Sequence, residues 1–242
     1  MTFMKTSSPH THHIRSTSSV MQWVLLATLP GFAMLSYFFG WGTLINILIA
    51  GCSALAGEAL VLKLRQRPIM FYLQDCSALV TAILLGLALP PYAPWWLIVV
   101  GSLCSIILAK QLYGGLGLNP FNPAMVGYVI LLISFPVEMT QWPAAHSLLG
   151  DGQLPSLGQT LSIVFQGASA IDAYTGATPL DLFKNQSGLL VEQIYQQEAV
   201  FSQANFAGVG WEWVNIAFLL GGLVLLYKRC LLYTSPSPRD RG

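Results

Sequence analysis

Charge is what this sequence has least of: Asp, Glu, Lys and Arg together make up 9% of its 242 residues, where soluble domains carry about 25%. So few charges cannot cover a water-facing globular surface, which excludes an ordinary soluble domain. The ten acidic and eleven basic side chains nearly cancel, leaving a net charge of +1. A nucleic-acid partner is excluded with it, since that needs a basic stripe and the basic residues here sit in short clusters between apolar runs. Cysteine is scarce as well. Cys52, Cys76, Cys104 and Cys230 include no C-x-x-C pair, so this chain alone assembles neither an iron–sulfur cluster nor a structural zinc site, and all four read as small core hydrophobes. His10, His12 and His13 belong to a polar tail and His146 stands alone in a loop, so no metal site is expected. A secretory signal is missing too, because the first apolar stretch runs straight into another.

Apolar sequence is plentiful instead, at 54% of the residues. A membrane helix needs about 20 apolar residues in a row, and five runs approach that: 20 to 39, 42 to 62, 95 to 113, 123 to 137 and 211 to 227. The fold class is therefore an all-α polytopic membrane protein. A further run, Ser77 to Pro90, is too short to cross unless it starts near Ile69 and takes Asp75 into the bilayer; short spans of this kind often line a binding site. Lys5, Arg15, Lys63, Arg65, Arg67, Lys110, Lys228 and Arg229 all fall on one side if the N-terminus is cytoplasmic, as basic residues of short loops do. This divides the chain into a cytoplasmic tail (1–19), a membrane domain (20–137), an extracytoplasmic loop (138–210) and a last membrane helix (211–230). That loop carries six carboxylates against one basic residue, Lys184, with a helix expected at 189 to 200 and an interfacial Trp211 and Trp213 pair at its end. Loops of this length are usually functional.

Four places carry polar chemistry. GGLGLNPFNPAM, at 114 to 125, combines Gly115 and Gly117 with Asn119 and Asn122; it reads either as a helix stop followed by an Asn-capped, Pro-led helix start or as backbone that approaches a ligand closely. It is neither a Walker loop nor a dinucleotide fingerprint. Glu58, inside the second run, is a cation or proton site or else a snorkelling partner of Lys63 one turn away. Asp75 reads first as a helix N-cap, with a ligand role as the alternative, and Pro90, Pro91 and Pro94 as punctuation. DAYTGATPLD, at 172 to 181, offers two threonine hydroxyls beside Gly176 and Ala177, with Pro179 holding the preceding residue extended. No triad accompanies Thr178, so it is not a nucleophilic catalyst; it is either the substrate of a modifying enzyme or part of an ordinary turn.

DAYTGAT resembles the D-x-x-[ST]-G-A-T signature at which a flavin transferase joins FMN, through its phosphate, to the last threonine. GGLGLNPFNPAMVGY and SALVTAILLGLALPPYAPWW resemble the matching segments of the family that holds the D subunit of the Rnf electron-transport complexes and the B subunit of the sodium-pumping NADH:quinone reductase. The resemblance runs from SSPHTH to about Tyr227. It implies a urea-transporter-like bundle with an inverted repeat, covalent FMN on Thr178, recognition of Asp172, Thr175, Gly176 and Ala177 by the transferase, and a second, non-covalent flavin that Gly115, Gly117, Asn119 and Asn122 would help to hold. It further implies a bacterial inner-membrane subunit that passes electrons and is not catalytic alone, with membrane lipid around it and complex subunits of the A, B, C, E and G types as partners. Members of the family continue through further helices. The resemblance therefore implies a chain incomplete at its C-terminus, with residues 231–242 a non-native tail and the unpaired half unstable. A solute channel or transporter without flavin is the rival expectation, which the related fold would permit.

Overall fold

Inside a bilayer no water receives a backbone N–H or C=O, so an apolar segment pairs those groups within itself and folds as a helix. The computed structural model describes residues 17–149, 154–167, 174–185, 188, 190–228 and 230, and among them it is helical with no strands, only an isolated bridge between Pro143 and Thr175. Helices α1 (Thr17–Phe39) and α2 (Gly42–Leu64) are long and apolar enough to span a membrane. After the short α3 (Ile69–Leu73) comes α4 (Ser77–Ala88), whose twelve residues rise about 18 Å against a hydrocarbon core of about 30 Å. The left-handed Cys76 (φ 61°) separates the two, so the short run does not extend back to Ile69. Helix α5 (Trp95–Leu103) continues into a π-helical segment, Cys104–Gln111. Helix α6 (Pro123–Ser134) follows; its Asn122 side chain accepts the Ala124 N–H at 3.0 Å and Pro123 opens its first turn, as the cap reading expected. It stops short of residue 137, because α7 (Pro136–Thr140) begins afresh at a proline.

Small residues let these helices meet at the backbone. Gly221 of α12 (Trp211–Tyr227) lies on the Ala27 carbonyl of α1, and Gly127 of α6 on Ser105 of the π-helical segment. Gly42 of α2 lies on the Pro91 carbonyl, while Asn46 donates to the Pro90 carbonyl at 2.8 Å. The two prolines thus do more than punctuate: both carbonyls meet α2, and that of Pro90 also accepts the Ala93 N–H at 3.0 Å. Ala50, Ala54, Ala82, Leu85, Leu97 and Ile98 fill the core between α2, α4 and α5. The cysteines contribute little to it, since Cys52 is exposed and the other three half-buried, which corrects their reading as core residues.

The bundle has two distinct ends. One gathers Ser18, Arg67, Gln74, Asp75, Gly114 and Leu118 around an open cleft, with Lys228 over the Trp23 ring at 4.6 Å. At the other, Phe39 packs on Trp211 at 4.8 Å, Trp142 on Trp211 at 5.2 Å, and Tyr92 on Tyr174 at 6.3 Å. Burial, and then Tyr174, push the Tyr92 phenol above its ordinary range, so it donates to the Phe39 carbonyl at 3.2 Å throughout the physiological range. Trp211 turns inward here and Trp213 is the exposed member, so the two are not a matched interfacial pair.

The segment expected to be a loop is largely folded. Besides α10 (Val191–Gln197) and α11 (Ala199–Ser202), close to the expected 189 to 200, it contains α8 (Leu157–Gln166) and α9 (Pro179–Asn185). Helix α8 starts at a capping box: Ser156 Oγ accepts the Gln159 N–H and Gln159 Oε1 accepts the Ser156 N–H, the S-x-x-Q pattern that marks a helix start. Glu212, 2% exposed, takes the N–H groups of Asn205, Phe206 and Ala207 and so ties the end of this region to α12.

Gly221→Leu is expected to cost about 1–3 kcal/mol of stability, read as a lower unfolding midpoint in detergent, because any side chain there meets the Ala27 backbone. Gly222→Leu, which faces open space, is expected to leave the midpoint in place.

Candidate functional site

Thr178 stands at the start of α9, and its surroundings are built from two stretches far apart in sequence. The Ala144 N–H donates to the Tyr174 carbonyl at 2.9 Å and the Gly176 N–H to the Trp142 carbonyl at 3.0 Å. These two bonds flank the Pro143–Thr175 bridge and fasten residues 174–176 to the chain that leaves α7. The approach is close enough to require glycine: a Cβ on Gly176 would lie 2.9 Å from that of Ala144. The Gly176 N–H is thus spent on this clamp. The next residue, Ala177, is exposed, and Thr178 is half-buried.

Thr178 and Asp181 hold one another. The Thr178 N–H donates to Asp181 Oδ2 and the Asp181 N–H to Thr178 Oγ1, both at 3.3 Å, while the Thr178 hydroxyl itself donates to Oδ2 at 2.6 Å. The Thr178 carbonyl then accepts the Leu182 N–H at 3.1 Å. This makes Thr178 the N-cap of α9, an arrangement worth about 1 kcal/mol. An open cavity of about 510 Å³ lies alongside, lined by Gln141, Trp142, Thr175, Gly176, Ala177 and Asp181. On the other face of the same backbone is an apolar cavity of about 230 Å³, which Ala144, Leu148, Ala177, Leu182, Val200 and Trp211 help to line. Thr175, Gly176 and Ala177 therefore share one rim with Asp181, and Thr178 follows them directly, bonded to that Asp181. Asp172, the fifth residue of the motif, lies outside the described residues. Asp181 and Trp142 had not been singled out; the T-x-x-D spacing of a capping box was the available sign for the first, and none existed for the second, whose role comes through its carbonyl.

The glycine and asparagine run takes the form of a helix stop followed by a capped helix start. Gly115 and Gly117 take positive φ (109° and 87°) with open space around them. Asn119 donates to the Phe121 carbonyl at 2.8 Å and Asn122 caps α6. Turn and cap account for all four, and neither adjoining cavity is lined by any of them.

A second polar cluster is buried in the bundle. Glu58 is 1% exposed; its Oε1 accepts from Lys110 Nζ at 2.6 Å and from Gln111 Nε2 at 2.8 Å. Lys110 also donates to Ser77 Oγ, which donates in turn to Asp75 Oδ1. Asp75 accepts the Ser77 N–H at 2.7 Å as well; Cys76 holds the N-cap position, so Asp75 bonds the helix start from one residue further out and is not the N-cap itself. Two further expectations are corrected here. Glu58 does not snorkel toward Lys63, which is exposed, and Lys110 is not a loop cation but is 2% exposed. The π-helical segment brings consecutive side chains, Lys110 and Gln111, onto one carboxylate, which fits the habit of π-segments to sit at specialised places.

The architecture is that of an all-α polytopic membrane protein with one polar cluster inside it and one hydroxyl-bearing rim at an end. The model of the NQR2, RnfD, RnfE family matches residues 4–237. The chain is 54% identical over 236 residues to the D subunit of the ion-translocating oxidoreductase complex of Cellvibrio japonicus, covering 98% of this chain and 66% of that one. It is 49% identical over 249 residues to the proteins of the same name from Citrobacter koseri and Erwinia tasmaniensis, covering 98% of this chain and 70% and 69% of theirs. This chain belongs to the NQR2, RnfD, RnfE family, and it spans about two thirds of the length of these relatives.

Lys110→Met is expected to destabilise the protein by about 3–5 kcal/mol, because Glu58 is left charged and unpaired in the interior. Adding Glu58→Gln to it is expected to recover most of the loss; unfolding midpoints in detergent of the two single variants and the double variant check this.

Proposed function

We propose that this chain is the membrane subunit of an ion-translocating oxidoreductase complex, the assembly its relatives are named for, and that it carries FMN esterified to Thr178. One observation carries the attachment: a half-buried hydroxyl on a clamped backbone, bonded to Asp181, which lines an open cavity of about 510 Å³, a size within the roughly 300–1,000 Å³ of ligand pockets. The residues present fit the group. Thr178 supplies the oxygen, exposed Ala177 leaves the approach clear, and Trp142 and Thr175 line the space beside it. The Gly176 clamp fixes where that oxygen stands, so a tethered cofactor would sit at one place relative to the bundle. When bound, a flavin supplies both one-electron and two-electron chemistry, while the protein contributes position and electrostatics. Asp172, two residues before the described Tyr174, belongs to the segment a flavin transferase would recognise.

The proposal sets Thr178 on the periplasmic side of a bacterial inner membrane and the N-terminus in the cytoplasm. The distribution of charge supports it: Arg67 and Lys228 gather at the end of the bundle remote from Thr178, and basic residues mark the cytoplasmic side. The lipid-facing surface includes Leu26 and Leu29 of α1 and Leu219 and Leu223 of α12, all at least half exposed. Other subunits of the complex, of the A, B, C, E and G types, are the proposed electron-transfer partners. The loop of Gly115, Gly117, Asn119 and Asn122 is not carried forward as a second flavin site, because neither adjoining cavity is lined by any of them.

Co-expression with a flavin transferase, followed by denaturing electrophoresis, is expected to give a fluorescent flavin band for the natural protein and for Thr175→Val. Thr178→Val is expected to lose all of it. An unlabelled natural protein, or undiminished label on Thr178→Val, contradicts the proposal.

A further inference from the structure

A capping box needs two hydrogen bonds, both to backbone N–H groups: the N-cap hydroxyl accepts one and the carboxylate three residues on accepts the other. Both are present at Thr178 and Asp181, at 3.3 Å each. The shortest contact of the pair is a third, which the cap does not require. The Thr178 hydroxyl donates its proton to Asp181 Oδ2 at 2.6 Å, within the 2.5–2.7 Å of charge-assisted O–H···O⁻ bonds. Asp181 also lines the open cavity together with Thr175, Gly176 and Ala177, so its carboxylate borders the space from which a reactant reaches Thr178.

An alcohol is a weak nucleophile until a positioned base draws on its proton. We propose that Asp181 is the positioning residue and proton acceptor for esterification of Thr178, an inference that rests on the attachment proposed above. The co-reactant is a flavin mononucleotide activated as a phosphoanhydride. Thr178 Oγ1 forms a bond to the flavin-bearing phosphorus while the anhydride P–O bond breaks, and the departing phosphate takes the electron pair. The hydroxyl proton passes to Asp181 Oδ2 and from there to the departing phosphate or to water. The Asp181 N–H bond to Oγ1 occupies one lone pair and the carboxylate fixes the proton, which leaves the other lone pair for the bond to phosphorus. No oxidant or reductant takes part.

The test follows attachment in membranes holding the whole chain, with purified transferase and activated flavin, and reads flavin fluorescence against time and pH. Asp181→Asn keeps an oxygen that accepts the Thr178 N–H, so the cap persists while the base is lost. Attachment is expected to slow by about tenfold or more and to acquire a rate that rises with pH, where the natural protein is flat through neutrality. Asp181→Glu restores a carboxylate at a position where capping boxes favour it, and is expected to recover both rate and profile. Natural rate and profile in Asp181→Asn would overturn the assignment and leave Thr178 as the attachment residue. Failure of the natural protein to label would instead overturn attachment itself, and Asp181 with it.

Discussion

Polar groups within this bundle have no solvent to turn to, and that constraint shapes everything the chain builds. Where helices meet, glycine and alanine remove side chains so that backbones lie against one another, as Gly221 does on Ala27 and Gly127 on Ser105. Where prolines follow the end of α4, Asn46 comes from another helix to donate to the Pro90 carbonyl. Where a carboxylate is buried, a lysine and a glutamine from a widened helical segment are turned onto it. Uncompensated, each of these groups would cost several kcal/mol, which is why charge is scarce here; among the described residues Ser36 Oγ, Thr43 Oγ1, Asn46 Oδ1 and Glu58 Oε2 are the buried side-chain atoms that go without a partner.

The same economy changes character at the end of the bundle that holds Thr178. Polar atoms there have water available, yet the backbone is still tied down, by the clamp between residues 142–144 and 174–176. A tether is useful to an electron carrier only if its anchor does not wander. The anchor is therefore mounted on Trp142 and Ala144, whose neighbourhood packs through Trp211 and Phe39 onto α12 and α1. Thr178 is thus displayed by a rigid base rather than by a free loop, which joins the membrane helices to the proposed chemistry through a short run of named contacts.

Much of this could be read from sequence where the signal was local. Asn122 and Pro123 marked the start of α6, and long apolar runs placed α1, α2 and α12 within a few residues. The Thr-Gly-Ala-Thr run stood out through its likeness to the flavin-attachment signature. Non-local facts were hidden. Lys110 lay at the end of an apolar run, where a cation ordinarily faces the cytoplasm, and nothing nearby shows that a π-helical turn directs it to Glu58, 52 positions away. The dependence of Gly176 on Ala144 was equally out of reach. Helix α8 lies inside the segment expected to be a loop, although S-x-x-Q was present there as a sign of a helix start. The T-x-x-D of Thr178 and Asp181 escaped in the same way.

The most direct test of the account is the mass of the peptide that contains Thr178, released by protease from the natural protein purified from its own membranes. The account predicts that this peptide carries the added mass of an FMN phosphoester and that fragmentation places it on Thr178. The unmodified mass, or the flavin located on another residue, would contradict it.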